Sequence, residues 1–222
     1  MKIKPSTLLT LLLLLLPSIS MAASDWSQVR SANGITVWTR EAPGYSLREF
    51  RAETTVRSTL AGLVTLIMDT DRAATWIYRT QRVDVLQRND QEATFVVHMV
   101  TDFPWPLTDR DAVVAGRIVQ TGNLTVHIIS QSLLDDSYPV NPGLVRMRDF
   151  YGNWTFRPLG DGMVHVTMQG RADPGGTLPH SIVNLLIHET PYQTLRGLRR
   201  VIPQPRYQQS QQPAIQEPDV LP

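Results

Sequence analysis

From Gln81 to Arg171 the chain repeats with a period of two, and a single long stretch of helical period, Leu178 to Ile202, follows it. Phe95, Val97, Met99 and Thr101 point one way while Thr94, Val96, His98 and Val100 point the other, since successive side chains of a strand alternate faces. Ala112 to Gln120, Leu124 to Leu133, Val145 to Arg157 and Met163 to Arg171 continue this character. Turn signals separate them at Gly122-Asn123, Pro139 to Gly143 and Gly160-Asp161-Gly162. Short connections make an antiparallel meander the economical topology. Strands with apolar residues on both faces need a partner on each face, or an enclosed ligand on one. Only the Leu178–Ile202 segment, with Ile182, Val183, Leu185, Leu186, Ile187, Tyr192, Leu195 and Leu198, is long enough to cover such a sheet. The expected architecture is α+β: one curved antiparallel sheet wrapped around a long C-terminal helix.

Upstream, Gly34 to Arg40 reads as a strand, Pro43-Gly44 as a turn, and Tyr45 to Val56 as a second strand. Ser58 is placed to cap a helix carrying Leu60, Leu63, Val64, Ile67 and Met68, and Asp71 to cap a shorter one through Trp76. Smaller helices are therefore expected after the second strand. Pro191 lies inside the final helix, where it removes a backbone donor and should kink it. Residues 203–222 are rich in Gln and Pro without apolar period, and disorder is expected there.

The first residues have the marks of a secretory leader: Lys2 and Lys4, an apolar run from Leu8 to Leu16 broken only by Thr10, then small residues to Ala23. Ser20 and Ala22 stand where a signal peptidase reads, so residues 1–22 are expected to be removed and the protein to be periplasmic or secreted. The apolar run is much shorter than the ~20 residues that cross a bilayer. With no cysteine, a disulfide framework, a thiol nucleophile and a thiolate metal site are all excluded, and the core alone must hold the domain, placed at residues 23–202. The formal net charge of +1 falls to about −1 once Lys2 and Lys4 are gone, which argues against nucleic acid as a partner.

The residues that carry a resemblance are Trp26, Gly34-Ile35-Thr36-Val37-Trp38, and above all Phe103-Pro104-Trp105-Pro106-Leu107-Thr108-Asp109-Arg110-Asp111. With Trp154-Thr155-Phe156 and the helix entered at Pro179-His180-Ser181, interrupted by Pro191 and closed by Leu198-Arg199-Arg200, they resemble the steroidogenic-acute-regulatory-protein-related lipid-transfer (START) domain. The resemblance spans Trp26 to Ile202. It implies a helix-grip fold, a tunnel for one lipid or sterol, the C-terminal helix as lid and a mobile loop beside it, and it supplies no catalytic residue. Sterol-binding members carry an acid and an arginine inside the tunnel; the matching positions here are Met99 and Gly116. The residues expected at the ligand are Met99, Phe103, Trp105, Arg110, Trp154, Met168, Ile182 and Leu186. No metal and no cofactor is expected. The partners implied are a lipid or other hydrophobic small molecule and a transient membrane contact, with the protein a monomer.

Catalytic signatures fail on inspection. No Gly-x-Ser-x-Gly elbow or phosphate loop occurs, and His188-Glu189 lacks the second histidine of a zinc helix, Tyr192 standing in its place. His98, His127 and His165 lie on strands and could converge on a metal only if the sheet brought them together. Asp109/Asp111 and Asp135/Asp136 are better turn and ion-pair residues than acid-base pairs. Arg110 has two readings, a structural ion pair with Asp111 or a nearby carboxylate, or a headgroup contact. Trp105 likewise either plugs the end of the domain or touches a bilayer. The rival functions are a helix-grip cyclase or aromatase, which needs a polar cluster such as His98 or His165 with an acid inside the pocket, and a non-transferring interaction module.

Overall fold

The computed structural model describes residues 26–41, 48–135, 137–178 and 180–218. The expected leader, the Pro43-Gly44 turn and Asp136 lie outside them. The elements are β1 (Ser27–Ala32), β2 (Ile35–Glu41), β3 (Arg48–Arg57), α1 (Leu60–Met68), a 3-10 turn (Thr70–Thr75), β4 (Thr80–Asn89), β5 (Thr94–Thr101), β6 (Arg110–Gln120), β7 (Val126–Ser132), β8 (Val145–Arg146), β9 (Asp149–Gly160), β10 (Met163–Asp173), α2 (His180–Val201) and α3 (Pro205–Gln208).

The strands form one sheet in the order β1-β2-β3-β10-β9-β7-β6-β5-β4, antiparallel throughout, with β8 added in parallel to β6. The meander expected from the short turns runs from β4 to β10 and closes onto β3. Four local expectations need correction. The strand read from Val145 to Arg157 is two, β8 and β9, because Val145 and Arg146 pair in parallel with the start of β6 while the chain from Asp149 pairs with β7 and β10. A strand precedes the one read at Gly34, so the small helices follow the third strand. The α1 cap is Thr59, whose Oγ1 accepts the Gly62 N–H at 2.9 Å, while Ser58 donates to the Thr59 carbonyl. No side chain caps the 3-10 turn, which starts from Asp69 and not Asp71.

The core lies on one face of the sheet. Val37, Ala52, Val56, Val126, Ile128, Phe156, Val164 and Val166 meet α1 through Leu60, Leu63, Val64 and Leu66, and α2 through Tyr192, Leu195 and Leu198. Full burial of each large apolar side chain contributes about 1.5–3 kcal/mol, so this interface holds both helices on the sheet. Gly197 lets α2 approach the turn before β4: a Cβ there would sit 2.0 Å from the Trp76 carbonyl oxygen.

The tail departs most from expectation. Residues 203–218 are packed against α1 and are not a disordered appendage. Tyr207 is buried and its hydroxyl donates to Asp69 at 2.8 Å. Ile215 packs on the core, and Gln212 donates to Thr65 Oγ1 at 2.9 Å. Glu217 accepts the free N–H groups of Leu60 (3.0 Å) and Ala61 (2.7 Å) at the start of α1. Those N–H groups have no partner within the helix, and a carboxylate there also meets the positive end of its dipole.

Candidate functional site

The inner face of the sheet has two unlike halves. In register across the strands, Val37, Ala52, Met168, Trp154, Ile128 and Ile118 form one row, large and apolar. The next row reads Thr39, Phe50, Gly170, Gly152, Ser130, Gly116 and Phe95. Its small residues sit beneath aromatic rings. A Cβ on Gly116 would lie 2.3 Å from Phe95 Cζ, one on Gly170 3.2 Å from Phe50 Cζ, and one on Gly152 3.3 Å from Phe150 Cζ. Glycine admits such close approach because it has no side chain. These rings over glycines form a thin apolar floor, although the Tyr151 carbonyl oxygen, at 2.6 Å, crowds Gly170 more than Phe50 does.

Beyond this row come Val97, Met99, Ala112, Val114, Phe150, Ala172 and, from the β8 segment, Met147, a second and smaller apolar cluster. Phe50, Val97, Met99, Phe150 and Met168 face inward yet are only half-buried. In the first part of α2, Ile182, Val183, Leu186 and Ile187 are also half-buried, in contrast to the buried residues after Pro191.

The residues expected at a ligand divide accordingly. Met99, Trp154 and Met168 lie on the inner face, and Ile182 and Leu186 are half-buried on the first part of α2. Met99 and Gly116, the positions that differ from sterol-binding members, both face inward, Gly116 under the Phe95 ring. Trp154 stands at the border of the two halves, 6.1 Å from the Trp76 ring.

Phe103, Trp105 and Arg110 belong to the loop that enters β6. Phe103 is buried and its N–H donates to Asp109 Oδ1 at 2.9 Å, while Asp109 Oδ2 accepts Gln81 Nε2 at 2.7 Å. Arg110 is buried over the Phe103 ring, 4.2 Å from its centroid, and donates to the carbonyls of Thr108, Pro174 (3.1 Å) and Gly175 (3.4 Å). It thus clamps two loops together, the structural of its two readings, with backbone carbonyls in place of the expected carboxylate. Trp105 stands out from this clamped base with 93% of its surface exposed, so it does not plug the domain.

Asp111 instead pairs with Arg146, Nε to Oδ1 at 3.0 Å and Nη2 to Oδ2 at 2.9 Å, and meets His98 Nε2 at 2.9 Å. Burial pushes its carboxyl pKa up, but the hydrogen bonds from Arg146 and His98 outweigh this and hold it below the usual carboxylate range. This cluster lies on the outer face. So do His165, 3.5 Å from Glu53, and His127, 3.2 Å from Thr155 Oγ1. The three strand histidines point away from the inner face, each to a different partner.

Two inward polar residues were missed. Arg48 has the same strand parity as Phe50, Ala52, Thr54 and Val56, which is the signal that could have found it. Its Nε is shielded from solvent and has no hydrogen-bond partner. His188 on α2 lies within its electrostatic reach: burial first, and the Arg48 charge second, lower the imidazole pKa and favour its neutral form.

A curved antiparallel sheet closed on one face by a C-terminal helix is the helix-grip fold. The START domain family model matches residues 9–205, and the chain belongs to that family. An uncharacterized protein of Pseudomonas aeruginosa is 29% identical over 178 residues, 80% of this chain and 86% of that protein. The crystal structure of a STAR-related lipid transfer protein fragment from Xanthomonas axonopodis superposes with a TM-score of 0.74 at 29% identity, over 81% of this chain and 99% of that one. The phosphatidylcholine transfer protein of Mus musculus is 22% identical over 169 residues, 74% of this chain and 78% of that protein.

Proposed function

We propose that this protein holds one lipid-like molecule between the inner face of the sheet and the first half of α2, and carries it between membranes without chemical change. The observation that supports this most is the row of glycines beneath Phe50, Phe95 and Phe150, an apolar floor bordered by Val97, Met99 and Met168, which face inward yet are only half-buried. Membership of a family whose named relatives include lipid-transfer proteins points the same way. Each methylene removed from water gains about 0.8 kcal/mol, so a long acyl chain leaves its bilayer only for a site equally dry. An enzymatic role would use His98 or His165 with an acid inside the pocket, and both pairs lie on the outer face.

Trp105, exposed on a loop pinned by Asp109 and Arg110, is the proposed membrane contact, since an amphipathic ring suits a bilayer interface. Export through the 1–22 leader would place the exchange in the periplasm or outside the cell, and the mass of the mature chain tests that cleavage.

The direct test is native mass spectrometry with organic extraction of the full protein, purified without detergent from a bacterial periplasm. One co-purified lipid per chain is expected. A chain that emerges empty and takes up no fatty acid, phospholipid or sterol overturns the reading.

A further inference from the structure

We propose that Arg48 is the polar pole of this site and selects lipids bearing one singly charged oxygen anion, a carboxylate or a phosphodiester. The inference rests on the lipid-binding reading and adds the class of ligand.

Arg48 sits at the edge of the inner face on β3, one position beyond the Phe50–Gly170 floor, and half-buried. A guanidinium keeps its charge at any ordinary pH, so a shielded one calls for a counter-ion. Among the described residues none is supplied: Arg48 makes no ion pair with them, and its cross-strand neighbour Glu41 is exposed and not bonded to it. Glu49, the next residue, faces the other way and binds Arg40 at 2.8 Å. Glu189, one residue beyond His188 on α2, is held by Arg30 at 2.5 Å. Elsewhere on the inner face the sheet from β3 across to β5 contributes apolar, glycine, serine and threonine residues, apart from Arg110 and Gln120 at the two ends of β6, whose side chains are already bonded to backbone carbonyls. His188, whose neutral form is favoured by burial and then by the Arg48 charge, offers a ring nitrogen. With Arg110 taken up by the carbonyls of Thr108, Pro174 and Gly175, Arg48 is the guanidinium left at the rim of the apolar floor, and it matches a ligand with one negative charge and a long tail. The planar fork of arginine suits a carboxylate or phosphate held by two parallel hydrogen bonds.

The test compares pairs of ligands that share a tail: oleate with oleyl alcohol, and dioleoylphosphatidylglycerol with dioleoylglycerol. Binding to the full chain is followed by displacement of a fluorescent fatty-acid probe and by native mass spectrometry. The anionic member of at least one pair is expected to bind about tenfold tighter or more, as a charge-assisted hydrogen bond implies. Arg48→Met should erase that preference and leave the neutral partner's affinity unchanged, and Arg48→Lys should keep part of it. Equal binding of both members by the wild-type chain overturns the inference while leaving lipid binding intact. So does an equal loss of both in Arg48→Met. Displacement of bound oleate by millimolar inorganic phosphate alone would assign the pole to a free ion and overturn it as well. If none of the four lipids binds, the proposed function fails together with it.

Discussion

At the scale of single residues, the floor makes a sharp demand on Gly116. A Cβ there would meet the Phe95 ring at 2.3 Å, and since the obstacle is a side chain, the ring must shift to admit it. Gly116→Ala is expected to cost about 1–3 kcal/mol by overpacking and to weaken binding of long-chain lipids. Chemical denaturation reads the first effect and lipid titration the second, and Phe95→Leu in the same chain should restore both. Asp111 answers to charge. Removing one partner of a buried ion pair strands the other, so Asp111→Asn should cost about 3–5 kcal/mol. Because its folded pKa is depressed, its contribution is present above the ordinary carboxylate value near 3.9 and is lost as pH falls further through the folded value. Acid titration of stability should therefore be shallower in Asp111→Asn than in the wild type, and equal slopes would refute the pairing as a source of acid sensitivity.

At the scale of elements, strong periodicity was legible and support by neighbours was not. The strands β5, β6, β7, β9 and β10 and the long helix α2 announce themselves through apolar repeats, whereas the two residues of β8 have no repeat of their own and read as the start of β9. β1, Ser-Gln-Val-Arg-Ser-Ala, has no such repeat and owes its existence to pairing with β2. The segment after Pro203 looked solvated because Gln and Pro dominate it. Its anchors are isolated residues, Tyr207, Ile215 and Glu217, that no period reveals. Arg48 escaped for a related reason: its parity places it inward, but arginine is usually read as solvent-facing. The tail's role in the fold is testable. Truncation after Pro203 would expose α1 and leave its first N–H groups bare, so a lowered melting temperature is expected, and Glu217→Gln should lose about 1 kcal/mol of the same contribution. An unchanged melting temperature on truncation would return the tail to the status of an appendage. Tyr207 adds a mark at alkaline pH. Burial, then Asp69, raises its pKa to about 12, so its contribution is whole below the ordinary value near 10 and fades as pH rises toward 12. Tyr207→Phe should flatten stability over that range.

At the scale of the whole molecule, α2 is one helix with two unlike attachments. After Pro191 it is bound by buried Tyr192, Leu195, Leu198 and Val201, by Thr194 Oγ1 accepting the Tyr78 N–H at 3.3 Å, and by Arg199 and Arg200 donating to the carbonyls of Asn33 and Thr75. Asn33 also holds the Tyr192 hydroxyl at 2.9 Å, and Arg30 stacks 3.4 Å from the centre of the Tyr192 ring. Before Pro191 the side chains of Ile182, Val183, Leu186 and Ile187 are half-buried, and the Arg30–Glu189 pair stands at the border. Pro191 removes one helical hydrogen bond where firm attachment gives way to loose. A helix built this way can lift its first half while the second stays seated, which would expose the floor to an entering lipid. Pro191→Ala restores the missing N–H and a better helix former, so it should stiffen the junction and slow lipid exchange between vesicles without reducing affinity at equilibrium. Stopped-flow transfer of a fluorescent phospholipid measures the first quantity and titration the second. Slower transfer at equal affinity supports opening about Pro191. Unchanged transfer rates in a variant that folds and binds normally would leave the Phe103–Leu107 loop, with its exposed Trp105, as the way in.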